Sequence, residues 1–320
     1  MSDPKVSIGI RAWRRETLPA AIESVLAQGH DDLELIVGDD AGDLGDVAAR
    51  FDDPRVRYVR NPVRLGLSGN ARALTVAARG RYIGLLDDDN RMLPGYLDAT
   101  VARLDEDPRV GIAFTNWFHE ADGRLLERDW PLRGGRHDDF LDTILRGCPA
   151  QLSSALIRQE AWEEGELRHP IRDDASVDMT VWMRTAEAGW SFHFIDQRLI
   201  VHRVHAGQVS NDEELIRERA VAVWSRFRFD DPVSEGLRRR RVAEALLDRA
   251  NLRLRQGKLR AAGRDVRAAR RIAPEGLGER GVVAVLGVRH AVGRLLARYP
   301  RLLRPALLVW GRLQRFDRFR

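Results

Sequence analysis

The chain has 320 residues, room for one large α/β domain with an appendage or for two domains, and its 44% hydrophobic content excludes a disordered polymer. A single cysteine, Cys148, excludes an intramolecular disulfide and fits a reducing compartment, and no apolar run approaches the roughly 20 residues of a spanning helix. The net charge of +5 is unevenly divided: residues 232–320 hold 23 basic and seven acidic residues, a net of +16, against 30 and 41 in residues 1–231, a net of −11.

In chain order, Val6–Ile10 reads as a short strand, and with its start at Lys5 it leaves no room for a signal peptide. Leu18–Gln28 spaces Leu18, Ile22, Val25 and Leu26 as one helical face. Leu33–Gly38 is a second strand ending in Asp39-Asp40, and Val56–Arg60 a third. Ser68 is a candidate cap for a helix over 69–79, with Gly80 as its stop. Tyr82–Leu86 is a fourth strand, closed by Asp87-Asp88-Asp89, and Pro94–Glu106 another helix. Val110–Trp117 reads as a strand, Leu125–Arg128 as a further extended segment, Ile157–Gly165 and Met179–Ala188 as helices, and Phe192–Ile195 and Leu199–Val204 as short strands. From Asp212 the pattern is helical, interrupted at Asp230-Asp231-Pro232, which sets the expected boundary between a domain at 1–231 and a basic helical region at 232–320.

Strands alternating with helices predict a mostly parallel sheet covered on both faces, with ligands at the carboxyl ends of strands. Asp39-Asp40 and Asp87–Asp89 both fall at such ends. Three adjacent carboxylates repel one another unless a positive charge sits among them, and a divalent cation gripping a phosphate is one remedy. A solvated acidic turn is the plainer alternative.

The ordered segments resemble family 2 glycosyltransferases of the GT-A fold. The resemblance rests on Val6–Ile10 with the helix ending Ser24–Gln28, on Leu33–Asp40, on Asn61, Gly66 and the 70–79 helix, on Asp87–Asp89 as the DxD motif, on Val177-Asp178 with Trp182–Arg184, and on His202–His205 with Ser210. It covers roughly residues 5–211. It implies a Rossmann-like, mostly parallel sheet flanked by helices, here with an α-helical C-terminal extension. The family's usual Pro-Thr-Tyr-Asn after the first strand is replaced by Arg11-Ala12-Trp13-Arg14, and Val177 and Thr180 stand where acids are common.

The resemblance implies a metal-dependent transfer of sugar from a UDP- or dTDP-sugar to a hydroxyl of a glycan or lipid-linked acceptor, with inversion, in surface polysaccharide or glycolipid synthesis. Asp178 is the implied general base, with Asp173 and Asp174 as competing acids. Arg11, Trp13, Asp39, Asp40, Arg72, Asp87 and Asp88 are the expected nucleotide-binding residues. Asp89 and His205 are the expected contacts of Mg²⁺ or Mn²⁺, which would stabilise the departing diphosphate.

Residues 241–274 read as a helical hairpin about Gly257. Beyond Gly281, apolar groups alternate with nine arginines, a composition suited to an anionic membrane surface. The expected location is cytoplasmic, with peripheral placement on the inner face of the plasma membrane through residues 281–320; oligomeric state is open. A nucleotidyltransferase would need a Gly-rich phosphate loop, of which Gly9-Ile10-Arg11 is only an echo. A nucleic-acid-binding role for the arginine-rich tail is disfavoured by its few aromatics and by the acidic body, and an inactive scaffold by the presence of both Asp89 and Asp178.

Overall fold

The computed structural model describes residues 4–40, 42–127, 132–147, 150–168, 177–208 and 211–274. Cys148, Asp173, Asp174, Ser210 and the expected membrane segment 281–320 lie outside the described residues.

Strands β1 (Val6–Ala12), β2 (Leu33–Asp39), β3 (Val56–Arg60), β4 (Tyr82–Asp87), β5 (Arg91–Met92), β6 (Val110–Ala121), β7 (Arg124–Glu127), β8 (Gly135–His137), β9 (Ala155–Arg158) and β10 (Ser191–Arg203) form one sheet. Its order is β3-β2-β1-β4-β9-β6-β10-β5, with β7 on β6 and β8 on β10. Strands β3, β2, β1 and β4 are mutually parallel, β9 runs antiparallel between β4 and β6, and β6 and β10 are parallel. The chain moves outward from β1 to β3 and then returns to β1's other side with β4. That reversal opens a crevice at the carboxyl ends of β1, β2 and β4.

The central strands are apolar because both faces are covered, and Ile8, Ile10, Leu35, Val37 and Leu86 are all buried. Helices α1 (Leu18–Leu26), α2 (Gly45–Ala48), α3 (Gly66–Ala77), α4 (Tyr96–Glu106), α5 (Phe140–Arg146), α6 (Gln159–Arg168) and α7 (Val177–Glu187) follow the strands. Gly38 lets α3 approach β2: a Cβ there would meet Asn70 Oδ1 and a Leu74 methyl, each at 2.8 Å. Buried Arg158 satisfies carbonyls that α4 leaves free, donating to Leu104 O at 2.6 Å and Asp107 O at 3.3 Å.

Several expected elements differ. The third helix starts at Gly66, so Ser68 lies inside it and is buried; Asp40 caps it, accepting from Leu65 N at 2.8 Å and Gly66 N at 2.9 Å. Ile157 belongs to a strand, with the helix beginning at Gln159. The two short strands near residue 200 are one strand, β10, with register shifts between Ile195 and Ile200.

The chain divides into two compact units between Asn211 and Asp212, not at Asp231. The second contains α8 (Glu213–Arg226), α9 (Pro232–Arg255) and α10 (Leu259–Ile272). Helix α8 packs on α9, with Arg238 Nη1 donating to Trp224 O at 2.9 Å, which places α8 with the second unit. No described helix is long and apolar enough to cross a membrane.

Candidate active site at the carboxyl ends of the central strands

Parallel register brings Arg11 of β1 opposite Asp87 of β4, and Ala12 opposite Asp39 of β2. The acids are neutralised largely from the β1 side. Arg11 Nη2 lies 2.6 Å from Asp87 Oδ1, whose side chain is 31% exposed. Arg14 Nη1 lies 3.1 Å from Asp88 Oδ1 and 3.3 Å from Asp89 Oδ2. The residues that depart from the family pattern after the first strand thus supply two cations to the acidic cluster.

The three acids have different environments. Asp88 is buried, and its Oδ2 accepts from the backbone N–H groups of Trp13 and Arg14, tying the β1 loop to the β4 end. Burial pushes its pKa up to about 6, opposed by those two amides and by Arg14. Asp88 therefore shapes the loop that carries Trp13 and Arg14. Asp87 is the more exposed carboxylate, and Asp89 is largely covered at the edge of the cavity.

Asp89 Oδ2 also meets His205 Nε2 at 3.0 Å. The other ring nitrogen, Nδ1, accepts from Gly207 N–H at 3.1 Å, so the proton sits on Nε2 and is donated to Asp89. A metal-binding histidine needs a free lone pair on the nitrogen facing the ion and donates through the other. In this arrangement His205 donates to Asp89 and orients it; contact with a bound ion would need the other tautomer. Asn90 supports this corner, donating to Ser153 Oγ at 2.9 Å and accepting from Arg203 N at 3.2 Å. Neither Asn90 nor Arg14 was singled out from sequence, because their partners are distant along the chain.

Asp178 lies in the first turn of α7, with Oδ1 accepting from Met179 N at 2.9 Å. Burial raises its pKa; the Met179 amide and the Arg11 charge lower it, and the Asp87 charge raises it. Arg11, Asp87 and Asp178 therefore share one electrostatic neighbourhood. Helix α7 is anchored by Arg184, which pairs with Glu166 and lies 4.3 Å over the Trp162 ring.

Three expected nucleotide contacts, Asp39, Asp40 and Arg72, have partners within the chain. Asp39 is buried, and its oxygens accept from Gly42 N at 2.7 Å, Leu44 N at 2.9 Å and the Tyr58 hydroxyl; burial, then that hydrogen bond, pushes Tyr58 up to about 12. Asp40 caps α3 and also accepts from Asn61 Nδ2 at 3.0 Å. Arg72 is turned to Glu166, with Nε 3.4 Å from Oε1. Trp13 stands 43% exposed at the loop, the Arg64 guanidinium 3.7 Å from its ring centre.

A cavity of about 550 Å³ opens beside Asp89 and His205, with Glu16, Arg91, Glu120 and Arg203 among its other walls. Among the described residues no three His, Cys, Asp or Glu side chains form a metal cage. The hard carboxylates of Asp87 and Asp89 nevertheless fit a divalent ion that takes its remaining oxygens from phosphates and water.

A mostly parallel sheet with acids at the carboxyl ends of its strands and a helix terminus carrying Asp178 defines a GT-A architecture. Solved structures agree on the fold: TarS 1–349 of S. aureus, crystallised with UDP-GlcNAc, superposes with a TM-score of 0.67, covering 92% of each chain at 13% identity. Residues 7–164, about half of the chain, match the glycosyl transferase family 2 description, and this segment is a family 2 glycosyltransferase domain. An uncharacterised Mycobacterium tuberculosis protein is 31% identical over 199 residues, 57% of this chain and 61% of that relative's length. The Escherichia coli UDP-Glc:alpha-D-GlcNAc-diphosphoundecaprenol beta-1,3-glucosyltransferase WfaP is 25% identical, covering 68% of this chain and 84% of its own. A Campylobacter jejuni GalNAc(5)-diNAcBac-PP-undecaprenol beta-1,3-glucosyltransferase is 32% identical over 38% of this chain and 41% of its own.

Proposed function

We propose that this chain transfers a sugar from a UDP- or dTDP-sugar to a hydroxyl of a glycan or lipid-linked acceptor, with inversion at the anomeric carbon. The observation that carries this reading is the pairing of Arg11 with Asp87 where β1 and β4 run side by side, with both charges acting on Asp178. A UDP donor is supported by the UDP-Glc named for the E. coli relative and the UDP-GlcNAc bound by the structural neighbour. A lipid-linked acceptor is supported by the undecaprenol carriers in two relatives' names.

Trp13 offers an exposed ring for a base, and Arg11 a cation for the diphosphate. Asp178 accepts the proton of the acceptor hydroxyl as that oxygen attacks the anomeric carbon from the face opposite the leaving diphosphate. Asp87 and Asp89 would hold Mg²⁺ or Mn²⁺, and His205 fixes the orientation of Asp89. When bound, that ion supplies charge stabilisation to the diphosphate. The carboxylates and guanidiniums of the neighbouring cavity suit a hydroxylated acceptor. Gly9–Arg11 lie within β1, and this position argues against the nucleotidyltransferase alternative.

The test is a donor screen measuring UDP, dTDP or GDP release from nucleotide sugars with Mg²⁺ or Mn²⁺, repeated with Asp89→Ala. Release from a UDP- or dTDP-sugar that falls roughly 100-fold in the variant is expected. Release indifferent to both metal and substitution would overturn the scheme.

A further inference from the structure

We propose that α10 is a docking face for the anionic surface of a phospholipid bilayer. The helix has two chemically opposed sides. Ala262, Gly263 and Ala269 are buried, and α10 packs on α9. Its single acid, Asp265, is buried there too, accepting from Arg249 at 2.9 Å and 3.1 Å and from Arg253 at 2.6 Å. The other side carries Arg260, Arg264, Arg267, Arg270 and Arg271, all exposed. Spacings of four, three and four residues align Arg260, Arg264, Arg267 and Arg271 as one stripe, roughly 16 Å long at 1.5 Å per residue.

Most of the other described basic residues of this unit meet an acid. Arg255 meets Glu213, Lys258 meets Glu214, Arg253 meets Glu218, and Arg240 and Arg241 share Glu244. Against that background the five arginines of α10 have no ion pair or side-chain hydrogen bond among the described residues. Like charges at helical spacing repel one another, so the stripe carries an electrostatic cost that an external anionic surface would relieve.

A bilayer fits better than a nucleic acid. Helix α10 has no aromatic side chain on which a base would stack. A straight row of guanidiniums on one helix face meets a planar array of headgroup phosphates along its full length. The choice of bilayer also rests on the proposed lipid-linked acceptor, which would be presented at such a surface. The sequence beyond Gly281 adds nine arginines against one acid, Asp317, extending the same sign of charge.

The test is co-sedimentation of the full chain with vesicles of about 30 mol% phosphatidylglycerol in phosphatidylcholine, at about 0.1 M salt. Each arginine near such a surface is worth roughly fivefold in partitioning. The variant Arg260→Gln/Arg264→Gln/Arg267→Gln/Arg271→Gln should therefore lose at least about 50-fold, and the milder Arg264→Gln/Arg267→Gln about tenfold or more. Arg240→Gln/Arg241→Gln, at paired positions, should stay within about threefold. Unchanged circular dichroism and melting would show that the variants fold. Retention of binding by both stripe variants, equal binding to pure phosphatidylcholine, or tighter binding to a short DNA duplex would overturn the proposal. Arginine-dependent vesicle binding by a chain that releases no nucleotide from any donor would leave this surface standing and defeat the transferase reading alone.

Discussion

Asp178 acts as a base only when ionised, and its burial works against that state. Its pKa is raised, so its proton-accepting form is present only above the ordinary aspartate value of about 3.9. The acid limb of kcat/KM should therefore lie above that value. Arg11 opposes the shift, so Arg11→Ala should move the limb to still higher pH; an unmoved or lowered limb would show that the guanidinium does not act on Asp178. Asp178→Asn should lower kcat roughly 10²- to 10⁴-fold while leaving UDP affinity unchanged, and full transfer by that variant would remove the assignment. Much of this corner was legible from residue order, because Asp87, Asp89 and Asp178 carry the family pattern. The source of the compensating charge was not. Arg14 reaches Asp88 across 74 residues, and no local spacing announces a pairing that only the β1–β4 register creates.

At the scale of elements, paired acids at a strand end have two readings that sequence cannot separate: ligand contact and helix cap. The structure places Asp40 in the second, on Leu65 N and Gly66 N with Asn61 as a further donor. Asp40→Ala should lower stability by about 1–2 kcal/mol in urea unfolding, through loss of the cap and of one of the two bonds donated by the buried Asn61 amide. UDP affinity should change far less than stability; the reverse pattern would return Asp40 to the nucleotide site. Strands with strong apolar runs, such as Val6–Ala12 and Leu33–Asp39, were readable because they are buried on both faces. Strand β9 was not, since four apolar-rich residues directly followed by a helix carry no period of their own. Strand β10 read as two because its register shifts interrupt the alternation.

At the scale of the whole molecule, the charge asymmetry reads as two parts, but the stop signal at Asp230-Asp231-Pro232 has a different origin. Asp231 accepts from Ser234 N at 2.7 Å and Pro232 opens the first turn, so this is the start of α9 inside the second unit. The boundary at Asn211 leaves all ten strands and every candidate site residue in the first unit. A fragment of residues 1–211 should therefore be monomeric by size exclusion and melt cooperatively. A fragment of residues 1–231 should behave worse, although it is longer. It retains α8 but lacks α9, removing the Arg255, Lys258 and Arg253 partners of Glu213, Glu214 and Glu218 and the Arg238 bond to Trp224 O, and leaving only Arg217 to Glu213. It also exposes apolar side chains such as Val223, buried in the full chain when α8 lies on α9. Aggregation or a broadened melt for 1–231 beside a sharp melt for 1–211 is the expected result. The opposite order would mean that α8 is required to complete the catalytic unit.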